Sequence, residues 1–149
     1  MSATIPEGFE PFDVPDDFVA LAGPLYLKPE PEGLRLGLVL ERRHGNPMGI
    51  AHSGLLMTVA DMVCGVGSGH ATGIRWPHPT ISLNCDFVRG AKLGNWLEGR
   101  AIVTRRTINF CFTRTELVCA GETVLSAAGI FRIPPLDTVP ADRRPPPRT

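Results

Sequence analysis

No stretch of this 149-residue chain approaches the roughly 20 consecutive apolar residues of a membrane-spanning helix, so no such span is expected. Neither sign of charge is in excess. Fifteen acidic residues balance fifteen basic ones, which argues against a dedicated nucleic-acid binder, since those carry a basic surplus. The four cysteines, Cys64, Cys85, Cys111 and Cys119, contain no CxxC pair. Met1 to Glu10 has no basic segment followed by an apolar one, so no secretory leader is expected. Together these features predict a cytoplasmic protein with buried, reduced thiols. The histidines, His44, His52, His70 and His78, fall eight, eighteen and eight residues apart and match no zinc motif, so no metal is expected. Hydrophobic residues nevertheless make up 43% and charged residues 20%, the composition of a folded globular chain rather than a disordered one.

Proline is scarce where the compact part should lie. Twelve of the fifteen prolines fall outside residues 33–133. A single domain over 1–149 is expected, with a core at about 18–133 and an extended or disordered Pro-rich tail at 134–149. A short N-terminal helix is predicted near Asp16 and Asp17, with Phe18 and Leu21 facing inward and Gly23-Pro24 ending it.

Residues 34–40 place leucine at every second position, the period of a half-buried strand. Residues 81–87 alternate Ile81, Leu83, Cys85 and Phe87 with polar neighbours. Trp96 to Thr104, Asn109 to Ala120 and Thr123 to Ile133 are rich in Val, Ile, Thr and Phe and are separated by short breaks, as in an antiparallel meander. Between the first two strands, Ser53 to Gly67 lacks proline and is apolar on nearly every side, which describes a buried helix with Met57 and Met62 in the core. Gly65-Val66-Gly67-Ser68-Gly69 reads as the helix end and a flexible connection. It follows a helix, whereas a dinucleotide loop precedes one.

That helix carries one ionisable carboxylate, Asp61. An unpartnered carboxylate in such a setting costs several kcal/mol. Two readings are open: Asp61 is held by the backbone of a nearby loop or faces water, or it is a pocket acid. Upstream, residues 44–54 form a turn-rich loop running into the helix start, where unpartnered N–H groups can polarise a carbonyl or hold an oxyanion. His52 and Asp61 are nine residues apart, about 13 Å of helical rise. A shared site therefore needs two helices, most simply across a dimer axis. Ser53 lacks the G-x-S-x-G setting of a nucleophile.

The segment Asn46-x-x-Gly49-x-x-His52-Ser53-Gly54, followed by Asp61, resembles the N-x-x-G-x-x-H-G-G…D signature of hotdog-fold acyl-CoA thioesterases, nearest the phenylacetate-pathway (PaaI-like) type. Pro79 to Asn84 and Gly90-Ala91-Lys92-Leu93-Gly94 extend the likeness, which spans residues 24–133. It implies an α+β hotdog fold, a long central helix wrapped by a curved antiparallel sheet. It also implies a homodimer, often a homotetramer, with sites shared between subunits.

By the same resemblance, Asp61 would activate water or attack the thioester, with the Thr80 hydroxyl positioning the water. From the other subunit, Asn46 would hold the water or the thioester and His52 would shape the turn. The Ser53 and Gly54 amides would form the oxyanion hole. Serine replaces the family's first glycine and keeps the backbone donor. Its side chain could narrow the acyl pocket or cap the helix.

Coenzyme A would enter as part of the substrate, with no separate cofactor. Its phosphates need basic partners, for which Arg89 and Lys92 are the first candidates, ahead of Arg105-Arg106 and Arg42-Arg43. Thioester hydrolysis is the leading expectation. The alternatives are hydratase or dehydratase chemistry on an acyl thioester, and a non-catalytic acyl-CoA-binding protein.

Overall fold

The computed structural model of the protein describes residues 3–147. In chain order it contains β1 (Glu10–Pro11), α1 (Asp17–Ala22), β2 (Tyr26–Glu30), β3 (Gly33–Val39), α2 (Ser53–Thr72), β4 (Thr80–Phe87), β5 (Trp96–Arg106), β6 (Phe110–Cys119) and β7 (Glu122–Arg132). The strands form one antiparallel sheet in the order β1-β2-β3-β5-β6-β7-β4. The expected meander is β5-β6-β7, and β4 returns after α2 to the edge beside β7.

Alternation aims one face of the sheet at α2. Leu36 and Leu38 of β3, Leu97 of β5, Leu117 of β6 and Leu125 of β7 are all fully buried. They meet Leu56, Val59, Ala60 and Val63 of α2 in one core. Register shifts in β4, β5 and β7 mark bulges, which sharpen local twist and let the sheet curve round the helix. This is the hotdog arrangement.

Four expectations are corrected. First, α2 does not end at Gly67. It runs 20 residues to Thr72 and stops at Gly73, whose φ of 70° suits glycine. Gly67 serves close packing instead of flexibility. A Cβ on Gly67 would lie 2.4 Å from the Ala101 Cβ, so the helix approaches β5 only because that atom is missing. Second, α2 is not buried all round. Leu55, Asp61, Met62 and Gly65 are half-buried and Met57 is exposed, so one face is left without a cover in the protomer. Met57 is therefore not a core residue, while Met62 packs half-buried against the core.

Third, α1 is capped by Asp16 as expected, the carboxylate accepting from Val19 N–H at 3.1 Å. Val19 is its buried residue, however, while Phe18 and Leu21 are 64% and 74% exposed. With six residues the helix turns only one narrow stripe inward. Fourth, residues 134–147 are not an extended, unattached tail. Leu136–Thr138 and Ala141–Arg143 form 3-10 turns. Val139 is buried with Ile74, Cys111 and Ile133. The prolines forbid a sheet ladder but not this anchoring. Arg148 and Thr149, the end of that predicted tail, lie outside the described residues.

The packed part also begins before residue 18. The Phe9 ring meets Trp96 edge-on at 4.9 Å, and Phe12 and Val14 pack on the core. Strand β2 was not legible because Pro29 interrupts it. β1 covers only Tyr26 and Leu27, so Pro29 sits where one edge is open and its missing donor breaks no second ladder. All four cysteines are free, and burial pushes the Cys64 thiol up to about 11, away from nucleophilic use.

Candidate active site

Asp61 sits on the uncovered face of α2, opposite the stripe made by Leu56, Val59, Ala60 and Val63. Its Oδ1 accepts a hydrogen bond from the Thr80 hydroxyl at 2.6 Å. Thr80 is the first residue of β4, so the edge strand delivers a donor to the middle of the helix. The bond is short, as expected for a hydroxyl facing a charged oxygen. The partner of Asp61 is thus a side-chain hydroxyl and not the backbone of a nearby loop. Asp61 and Thr80 line a cavity of about 310 Å³, walled further by Phe18, Met57, Met62 and Leu83.

The second group of residues gathers at the start of α2. Asn46 folds a turn on itself: its Oδ1 accepts from Met48 N–H at 2.9 Å, and its backbone carbonyl accepts from Gly49 N–H at 3.0 Å. The Asn46 Oδ1 is thus occupied, and Nδ2 is left to donate. Gly49 has a φ of 74°, the conformation that makes glycine the natural choice in the motif. His52 N–H is held by the His44 carbonyl at 2.8 Å, and Ala51 N–H by the Ala91 carbonyl at 2.8 Å. The loop is therefore tied on both sides before it enters the helix.

His52 itself caps α2. Its Nδ1 accepts from Gly54 N–H at 2.9 Å, which places the ring proton on Nε2. Two expectations change here. The capping side chain is His52 and not Ser53. The Gly54 amide is consumed by that cap, so it is not a free oxyanion donor. Ser53 N–H, the first of the helix, has no acceptor among the described residues and is exposed. One amide, not two, is open to a ligand at this helix start.

His44 lies beneath the loop. It is buried, its Nδ1 accepts from Glu41 N–H at 2.9 Å, and its Nε2 has no partner. Burial holds its pKa below the ordinary histidine value.

The basic candidates separate clearly. Lys92 bridges to Ile50, in the turn whose Ala91 carbonyl holds Ala51, so it flanks the helix start. Arg89, three residues earlier, pairs with Glu122 at 3.4 Å, and both are largely exposed. Arg43 donates to the Leu21 and Gly23 carbonyls and to Glu41, a clamp on the end of α1 that engages all three of its nitrogens. Arg106 donates to the Ala71 carbonyl at the far end of α2.

Within one protomer the two groups stay apart. Asn46, His52 and Ser53 meet at the start of α2, while Asp61 and Thr80 meet about 12 Å further along its axis, at 1.5 Å per residue. Residues that sequence reasoning missed are Asp16 and Phe18, which line the Asp61 cavity from α1. The clue available was the shortness of α1, which cannot bury both Phe18 and Val19.

A curved antiparallel sheet around one long helix, with an acid at mid-helix and a glycine-containing loop at its start, defines a hotdog-fold enzyme of the thioester hydrolase class. The chain belongs to the thioesterase superfamily, whose family model matches residues 48–126. A Pseudomonas aeruginosa protein provisionally named an esterase is 31% identical over 131 residues, covering 87% of this chain and 98% of its own. Among solved structures, a single-substitution mutant of the phenylacetic acid degradation protein PaaI from Thermus thermophilus is 26% identical. It superposes with a TM-score of 0.68 over 79% of this chain and 100% of that one. Zebrafish thioesterase superfamily member 2, at 19% identity, has the same fold, with a TM-score of 0.71 over 82% of this chain and 89% of its own. No helix among the described residues is long and apolar enough to cross a membrane.

Proposed function

We propose that the protein hydrolyses acyl-CoA thioesters to a free acid and CoA, at sites built between two copies of the chain. The observation that carries this reading is the Asp61–Thr80 pair at the edge of a partly apolar cavity. Asp61 takes a proton from water as the water oxygen attacks the thioester carbon. The C–S bond then breaks and the CoA thiolate leaves, to be protonated to the thiol. In the nucleophilic variant, an Asp61 oxygen attacks first, CoA leaves, and water cleaves the resulting anhydride. Thr80 orients the carboxylate in either route.

The carbonyl oxygen, as it gains charge, is held by Ser53 N–H of the other subunit, backed by the positive end of α2. Asn46 Nδ2 donates to the water or the thioester, and His52 keeps the turn and the helix start in shape. Lys92 approaches a CoA phosphate, with Arg89 beside it. No cofactor separate from the substrate is required.

A two-copy site is supported by what each protomer leaves uncovered. β4 is a sheet edge, with Ile81 and Phe87 56% and 46% exposed. The same side presents Met57 and the half-buried Leu55 and Met62 of α2. An unpaired strand edge beside an apolar helix face fits a second copy of itself, and a twofold axis brings one helix start toward the other helix's middle. Full PaaI-like tetramers would add a further contact. The test is a thiol-release assay over short, medium, long and aromatic acyl-CoAs. Release that falls by about 10²–10⁴-fold in Asp61→Asn, with the fold kept, supports the reading. Wild-type rates in Asp61→Asn, or ligand binding without thiol release, contradict it.

A further inference from the structure

We infer that Asp16 and Phe18 form a charge-selecting wall of the acyl pocket, admitting neutral apolar acyl chains and rejecting chains that end in a carboxylate. This rests on the thioesterase reading and concerns which substrates that site accepts.

The cavity beside Asp61 is lined by two segments distant in sequence, α2 with β4 on one side and the start of α1 on the other. Phe18 is 64% exposed although it belongs to a docked helix, and its ring faces this cavity with Met57 and Leu83. Those three side chains offer an apolar chain a surface on which to leave water. The wall is fixed in place from behind. Val19 anchors α1 in the core, and Arg43 clamps the Leu21 and Gly23 carbonyls at its end.

Charge in the cavity has one sign. Asp16 and Asp61 both line it, and no lysine, arginine or histidine does so among the described residues. The Asp16 carboxylate is not free to swing away, because it accepts from Val19 N–H at 3.1 Å as the helix cap. An acyl chain with a terminal carboxylate would bring a further negative charge between them, where this protomer supplies no cation to meet it. A neutral chain of the same length meets no such penalty.

The experiment compares kcat/KM for hexanoyl-CoA and adipoyl-CoA, which share six acyl carbons and differ in the terminal carboxylate. The unsubstituted protein should prefer hexanoyl-CoA by about tenfold or more at low salt, and the preference should shrink as salt rises. Asp16→Asn keeps a good helix cap while removing the charge, so the ratio should narrow by about threefold or more with thermal stability maintained. Phe18→Ala should raise KM for hexanoyl-CoA more than for acetyl-CoA. A ratio near one in the unsubstituted protein, or a ratio unmoved by Asp16→Asn, overturns this inference and leaves the thioesterase reading standing. No thiol release from any of these esters or from a wider acyl-CoA panel overturns both.

Discussion

Thr80, the first residue of an edge strand, donates its hydroxyl to Asp61 at the middle of the central helix, 2.6 Å away and 19 positions earlier in the chain. The bond fixes which way the carboxylate faces and leaves its other oxygen without a hydrogen-bond partner among the described residues. Removing the hydroxyl in Thr80→Val should lower kcat by about 10- to 100-fold, the value of one hydrogen bond to a charged group, with a smaller change in KM. Thr80→Ser should restore most of the rate. A purely structural role would lower stability in Thr80→Val and leave kcat of the folded protein intact.

Ser53 offers a backbone test. It is the first residue of α2, where proline is well tolerated, and the preceding His52 has φ −62° and ψ 137°, the extended conformation that a following proline requires. Ser53→Pro therefore deletes one amide donor without disturbing the helix. Thermal melting should be unchanged within error, while kcat should fall by about 10²–10³-fold. Ser53→Ala, which keeps the N–H, should stay close to wild type.

Gly67 tests the packing that carries the helix. Elsewhere in a helix, Gly→Ala stabilises by up to about 1 kcal/mol. Here the new Cβ would meet the Ala101 Cβ at 2.4 Å, so Gly67→Ala should destabilise by about 1–3 kcal/mol in a denaturant titration. Adding Ala101→Gly should recover part of the loss, because the two sites share one contact.

The acid side of the stability profile should be shaped by His44 and His78. Burial lowers both pKa values below the ordinary histidine value. A folded state that binds protons less readily than the unfolded chain loses stability as pH falls. Stability from both residues should thus be fully present above about pH 6.5 and decline below it, toward their lowered folded values. Melting temperatures measured from pH 8 to pH 5 should fall on the acid side, and His44→Gln should flatten part of that fall. A profile identical in the variant would remove His44 as a contributor.

Much of the architecture was legible because leucine alternation in β3 and the meander of β5, β6 and β7 obey a two-residue period, while Asp61 stands out as the lone acid in an apolar helix. Local pattern could not give the end of α2. Gly67, which reads as a breaker, is there to fit Ala101, a contact 34 positions away. Nor could it give Phe18, because a one-stripe helix hides which of two neighbouring apolar residues turns inward. The motif loop was read as a unit, yet only three-dimensional hydrogen bonding separates Gly54, whose amide is taken by His52, from Ser53, whose amide is open. Val139 shows the same limit in the tail: one apolar side chain among prolines is enough to dock a segment whose composition suggests none.

Complementation between two inactive variants bears on whether one site draws on two chains. Asp61→Asn and Ser53→Pro, each prepared alone, should be nearly silent in thiol release. Unfolded and refolded together in equal amounts, they should form mixed dimers in which one of the two sites pairs an intact Asp61 from one chain with an intact Ser53 amide from the other. Random pairing then returns about a quarter of wild-type activity. Mixed dimers verified by mass but as inactive as the parents would contradict a site shared between subunits.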